Sequence, residues 1–154
     1  MRITAELLKI GDVNLNGRIY TRETAELMVE QFNQKVAEHG FFFGQLGFGD
    51  SADTTTLQRA SHNVNEISIR QDRVVGDITI MDTPEGKALK LLVETQMKGY
   101  QGVLVEMTNP CGGKVVFRPR STGTVNEDGT VEIHELISFD AVPVEEDSFK
   151  GLLD

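Results

Sequence analysis

Cysteine is nearly absent from this chain: among 154 residues only Cys111 carries a thiol. A lone cysteine excludes an internal disulfide and any metal site built on cysteines, and its ordinary role is that of a small apolar residue. Positive charge is scarce as well. Lys and Arg number 15 against 24 Asp and Glu, a net charge of −9. A groove for phosphates is made of clustered cations, so nucleic acid is not an expected partner. No apolar run approaches the length of a membrane span, and the first ten residues, interrupted by Arg2, Glu6 and Lys9, lack the form of a secretory leader. No repeat with a period of roughly 20 to 50 residues is visible, which removes solenoids and propellers. The three histidines, His39, His62 and His134, have no ligand spacing, so neither a metal nor another cofactor is expected. The expectation is a soluble protein made in a cytoplasm, with no membrane partner.

What is present fits one domain over residues 1–154, large enough for a core without staples, with 39% hydrophobic and 25% charged residues. Glycine is concentrated at Gly44-Gln45-Leu46-Gly47-Phe48-Gly49-Asp50, after the run Phe41-Phe42-Phe43. Glycines so spaced permit close backbone approach and positive φ. Their spacing is not that of a dinucleotide or P-loop fingerprint.

In chain order, residues 1–10 read as a strand, followed by a turn rich in Asn and Gly from Asp12 to Gly17. From a Thr21 cap, the spacing of Ala25, Met28, Phe32 and Val36 predicts a helix ending at His39-Gly40. Phe41 to Leu46 reads as a buried strand and Gly47 to Thr56 as a polar loop. Asn63–Arg70 and Arg73–Met81 predict a hairpin about Gln71-Asp72, and a second helix is expected over about Pro84 to Met97. Gly102–Met107 and Lys114–Arg120 predict another hairpin around Asn109 to Gly113. Thr130 to Val142 alternates Val131, Ile133, Ile137 and Phe139 with Glu132, His134, Leu136 and Ser138, a strand with one wet face. Residues 143–154 are expected to form an extended tail. The sum is an α+β domain, an antiparallel sheet or barrel with about two helices.

Several short signals stand in a particular order. They are Asn14-Leu15-Asn16-Gly17-Arg18-Ile19-Tyr20, Gly44-Gln45-Leu46, Ser61-His62-Asn63-Val64, Gly76-Asp77-Ile78, Asp82-Thr83-Pro84-Glu85-Gly86, Arg120-Ser121-Thr122-Gly123 and Ser138-Phe139-Asp140-Ala141-Val142-Pro143. In that order, from about Asp12 to Phe149, the chain resembles the prohead core proteases of tailed phages, which share the herpesvirus assemblin fold. The resemblance implies a serine peptidase scaffold that processes scaffold and capsid proteins, with a histidine as base. Serine chemistry needs an imidazole within hydrogen-bond reach of the hydroxyl and donors for the oxyanion.

Against that pattern the essential positions are replaced. Phe48 stands where the base is expected, and Arg118 and Pro119 stand where the family carries serines; in a competing register those positions are Leu104 and Val105. His62 matches the family's later histidine, and Arg120 and Gly123 match its oxyanion strand. If the chain were active, Ser121 would be the displaced nucleophile, with His62 or His134 as base. Phe48 is either a plug for the space of the lost imidazole or an anchor for a neighbouring subunit.

The resemblance thus implies a catalytically inactive relative: a non-enzymatic component of a phage head, as decoration, cement or minor capsid protein. Its binding loops would include Phe48, Asp50, Asn109 and Pro110. Its partners would be the major capsid protein, other head proteins and copies of itself, in a virion assembled in the host cytoplasm. The alternatives are an active maturation peptidase, and a scaffold or core protein present only in the prohead.

Overall fold

The computed structural model describes residues 1–14, 17–47, 57–97, 115–143 and 152–153. Helix α1, Arg22–His39, begins and ends on side-chain chemistry the sequence displays. The Thr21 hydroxyl oxygen accepts the Thr24 N–H, and Gly40, at φ 78°, closes the last turn by donating to the Val36 carbonyl. Ala25, Met28 and Phe32 are buried and Val36 packs beside them. The Phe32 and Phe42 rings lie 4.9 Å apart.

Four strands form the first sheet: β1 (Arg2–Lys9), β2 (Phe43–Gln45), β3 (Ala60–Arg70) and β4 (Arg73–Ile80). Their order is β1-β4-β3-β2, and each neighbouring pair is antiparallel. Gln71, at φ 56°, opens the two-residue turn between β3 and β4. The register slips at Asn65, so that Val64 faces Ile78 and Glu66 faces Asp77. This bulge is why Val64 and Ile67, three residues apart, are both buried. The extra residue's side chain is held by Thr79 and Asn63.

A second sheet contains β5 (Val115–Val125), β6 (Val131–Pro143) and β7 (Leu152–Leu153) in the order β6-β5-β7, with β7 parallel to β5. Among the described residues the two sheets do not close into a barrel; a bridge between Leu46 and Ala141 joins β2 to β6. The core runs between the sheets and α1 and includes Leu7, Met28, Phe32, Ile78, Phe117 and Phe139. Helix α2, Pro84–Met97, is capped by Thr83, whose hydroxyl accepts the Gly86 N–H and donates to the Ala60 carbonyl. At its other end the Gln96 amide takes both backbone groups of Val115: Oε1 accepts the N–H at 2.8 Å and Nε2 donates to the carbonyl at 3.0 Å.

Two strand expectations change. Gly102–Met107 and the turn after it lie outside the described residues, and β5 is longer than expected and pairs with β6. On β6 the strict alternation fails, because Ile137 and His134 are extra residues opposite β5, at the slips Arg120/Ser121 and Thr122/Gly123. Two bulges shift the inward set, and Leu136 and Ser138, expected on a wet face, are fully buried. Gln31 of α1 anchors this stretch, donating to the His134 carbonyl and accepting the Leu136 N–H. The expected tail contains β7, paired to Ser121 and Thr122.

Candidate functional site

Four segments singled out in the sequence meet in one buried polar cluster. Gly44 of β2 is directly opposite His62 of β3, and the His62 ring reaches across to β6. Its Nε2 lies 2.7 Å from the Phe139 carbonyl, and Ser61 Oγ lies 2.8 Å from its Nδ1. A carbonyl only accepts, so Nε2 carries the proton, and Nδ1 accepts from the Ser61 hydroxyl. The ring stands edge-on to Phe117 at 5.1 Å. Burial pulls the imidazole down to about 4, opposed by its bond to Phe139, so His62 is neutral near pH 7.

Beside this tie lies an ion pair. Arg120 Nε is 2.8 Å from Asp140 Oδ2, with both side chains 1% exposed or less. Nε also donates to Ser138 Oγ at 3.1 Å. Asp140 Oδ1 accepts the Ser138 hydroxyl at 2.8 Å and the Gln45 N–H at 3.2 Å. Burial pushes the Asp140 carboxyl up from the usual range, while Arg120, Ser138 and Gln45 pull the other way. Gly47 N–H donates to the Ala141 carbonyl. The Gly44-Gln45-Leu46 stretch is therefore laid along β6 by backbone and carboxylate contacts.

Among the described residues, neither His62 nor His134 is paired with Ser121. Ser121 is fully buried and its hydroxyl has no hydrogen-bond partner. Both ring nitrogens of His62 are engaged elsewhere, and His134 is exposed on β6. The nearest thing to a nucleophile and base is Ser61 with His62, which the sequence reading passed over. Both are 0% exposed, so no acyl group can reach the hydroxyl in this conformation. Arg118 and Pro119 are on β5, opposite Asp140 and Phe139, and Arg118 donates to the Phe117 carbonyl. Phe48, Asp50, Asn109 and Pro110 lie outside the described residues. Among the described residues no three His, Cys, Asp or Glu side chains gather as metal ligands. Asp140 was visible in sequence only as part of a motif. The signal that marks it is a lone carboxylate in the apolar run Phe139 to Val142 of β6, opposite a strand that carries Arg118 and Arg120, since a charge must be paired to be buried.

The sequence matches no protein-family model and no curated protein. A solved structure does match in three dimensions, the bacteriophage T4 capsid assembly protease, at a TM-score of 0.63 over 92% of this chain and 80% of that one, with 17% identity. The fold is capsid-protease-like. Within this protease-like fold, β5 and β6 carry the Arg120-Ser121 and Asp140-Ala141 signals as antiparallel neighbours, and the Ser61-His62 signal is tied to them through Phe139. Among the described residues, no helix of the protease-like fold is long and apolar enough to cross a membrane.

Proposed function

We propose that this chain is a non-enzymatic structural component of a phage head, in which a protease-like fold serves as a scaffold for contacts with capsid proteins. The observation that supports it is the occupancy of His62. Its Nδ1 accepts a hydrogen bond from the Ser61 hydroxyl and its Nε2–H donates to the Phe139 carbonyl, while the Ser121 hydroxyl is buried with no hydrogen-bond partner. A hydroxyl without a base has little nucleophilicity near neutral pH, and triad members act as a unit. Decoration, cement or minor capsid roles fit this chemistry, with the major capsid protein as the first partner and no cofactor.

Purified mature virions test it. The expected result is a stoichiometric band of this chain, together with no cleavage of the phage's own capsid or scaffold protein by the purified protein. Absence from mature virions removes the structural role and leaves a prohead-only scaffold. One observation favours a second reading, a maturation peptidase: Ser61 and His62 are within hydrogen-bond distance. That reading requires cleavage that disappears on Ser61→Ala or His62→Ala, or on Ser121→Ala if the displaced serine acts.

A further inference from the structure

The two sides of β5 are treated differently. One side pairs with β6 along all its length, from Val115 opposite Pro143 to Val125 opposite Val131. On the other side the chain blocks further pairing at successive positions. Val115 has both backbone groups taken by the Gln96 amide, so they point away from β6. Two residues on, the Phe117 carbonyl takes a hydrogen bond from Arg118. Another two on, Pro119 has no N–H to offer. Such devices keep an edge strand from recruiting another chain.

Past Pro119 the protection stops and a strand is accepted. Ser121 and Thr122 pair in parallel with Leu152 and Leu153. This resident strand covers two residues, whereas β5 continues to Val125, with Thr124 exposed and Val125 43% exposed. A two-residue strand is held by few backbone hydrogen bonds, each of modest net worth. The same edge presents the same groups to Leu152-Leu153 of any copy, and exchange of identical elements is a low-cost route to association.

We propose that the Ser121–Val125 edge of β5 is a self-association site, at which the 152–153 strand of a second copy replaces the resident one. The inference does not rest on the proposed structural role. Donor and acceptor are different surfaces, so the contact is heterologous and yields either reciprocal dimers or open chains.

The test uses the full chain in sedimentation velocity over a wide concentration range. The wild type is expected to associate with concentration. Leu152→Asp together with Leu153→Asp should shift that association to concentrations at least roughly tenfold higher, with the thermal midpoint kept. A synthetic peptide of residues 148–154, in excess, should dissolve the wild-type assembly, and a scrambled peptide should not. This arm needs no variant and stands if the double substitution fails to fold. A wild type that is monomeric at every concentration overturns the proposal, as does an assembly indifferent to the peptide. Association only with the major capsid protein, lost in the variant, also overturns it and assigns the edge to that partner.

Discussion

The His62 ring fills the space that a side chain at Gly44 would need. A Cβ added to Gly44 would stand 2.2 Å from His62 Nε2 and 2.1 Å from the Phe139 carbonyl oxygen, the two atoms that bond to each other. The glycine on β2 and the histidine on β3 are thus one feature, and a backbone atom on β6 fixes both.

Gly44→Ala is therefore expected to cost about 3 kcal/mol, the upper end of overpacking, because a backbone carbonyl cannot step aside as a side-chain tip can. Gly47→Ala is the control: its φ is +79° but no atom lies within 4 Å of the added carbon, so only the left-handed strain of about 1 kcal/mol is expected. Urea midpoints of the two variants give the comparison. A Gly44→Ala loss no larger than that of Gly47→Ala would contradict the packing described.

His62 makes stability depend on pH in a defined direction. Its folded value of about 4 lies below the ordinary 6.5. Above the ordinary value the ring is neutral folded and unfolded, and contributes no slope. As pH falls between the two, the unfolded chain takes up a proton the folded one refuses, so stability declines by about 1.4 kcal/mol per pH unit and about 3 kcal/mol in all. Below about 4 the decline from this group ends. Subtracting the unfolding free energies of His62→Gln from those of the wild type, between about pH 7.5 and 4.5, isolates the group. A difference constant with pH refutes the assignment.

Removing one member of the Arg120 and Asp140 pair should be worse than removing both. Asp140→Ala leaves the guanidinium in a site that is 1% exposed or less, at an expected cost of about 3–5 kcal/mol. Arg120→Met with Asp140→Leu, of similar volume, should lose far less or even gain. Equal losses in the single and double variants, by equilibrium denaturation, would show that the pair is not coupled.

Ser121→Ala removes a buried hydroxyl with no partner, and is expected to raise stability by about 1 kcal/mol. It should also leave capsid-protein processing assays unchanged. Phe48→His is expected not to create proteolysis, because Ser61, the one imidazole-bonded serine among the described residues, is shut inside the core. Cleavage by either protein that Ser121→Ala or Ser61→Ala abolishes reverses the proposed function.

Local chemistry made half of this structure legible. Thr21 and Gly40 bound α1 because capping is settled within a few residues, and Gln71-Asp72 places the β3–β4 turn for the same reason. Bulges were not legible: nothing in Glu135-Leu136-Ile137-Ser138 marks which residue is extra, since that depends on how β5 lies opposite. The polar cluster was half visible. His62 and Gly44 stood out, but their joint meaning needed Phe139, 77 residues from His62 in sequence. Asp140 and Gln45, 95 residues apart, could be joined only by the fold.

The Gln96 amide, imitating a strand neighbour at Val115, also sets a boundary. It brings residues 96 and 115, 19 positions apart in sequence, within 2.8 and 3.0 Å of each other. Where a chain is closed at such a point, each doubling of the length between adds only about 0.6 kcal/mol of closure cost, so lengthening the sequence between Gln96 and Val115 is expected to leave the unfolding free energy nearly unchanged.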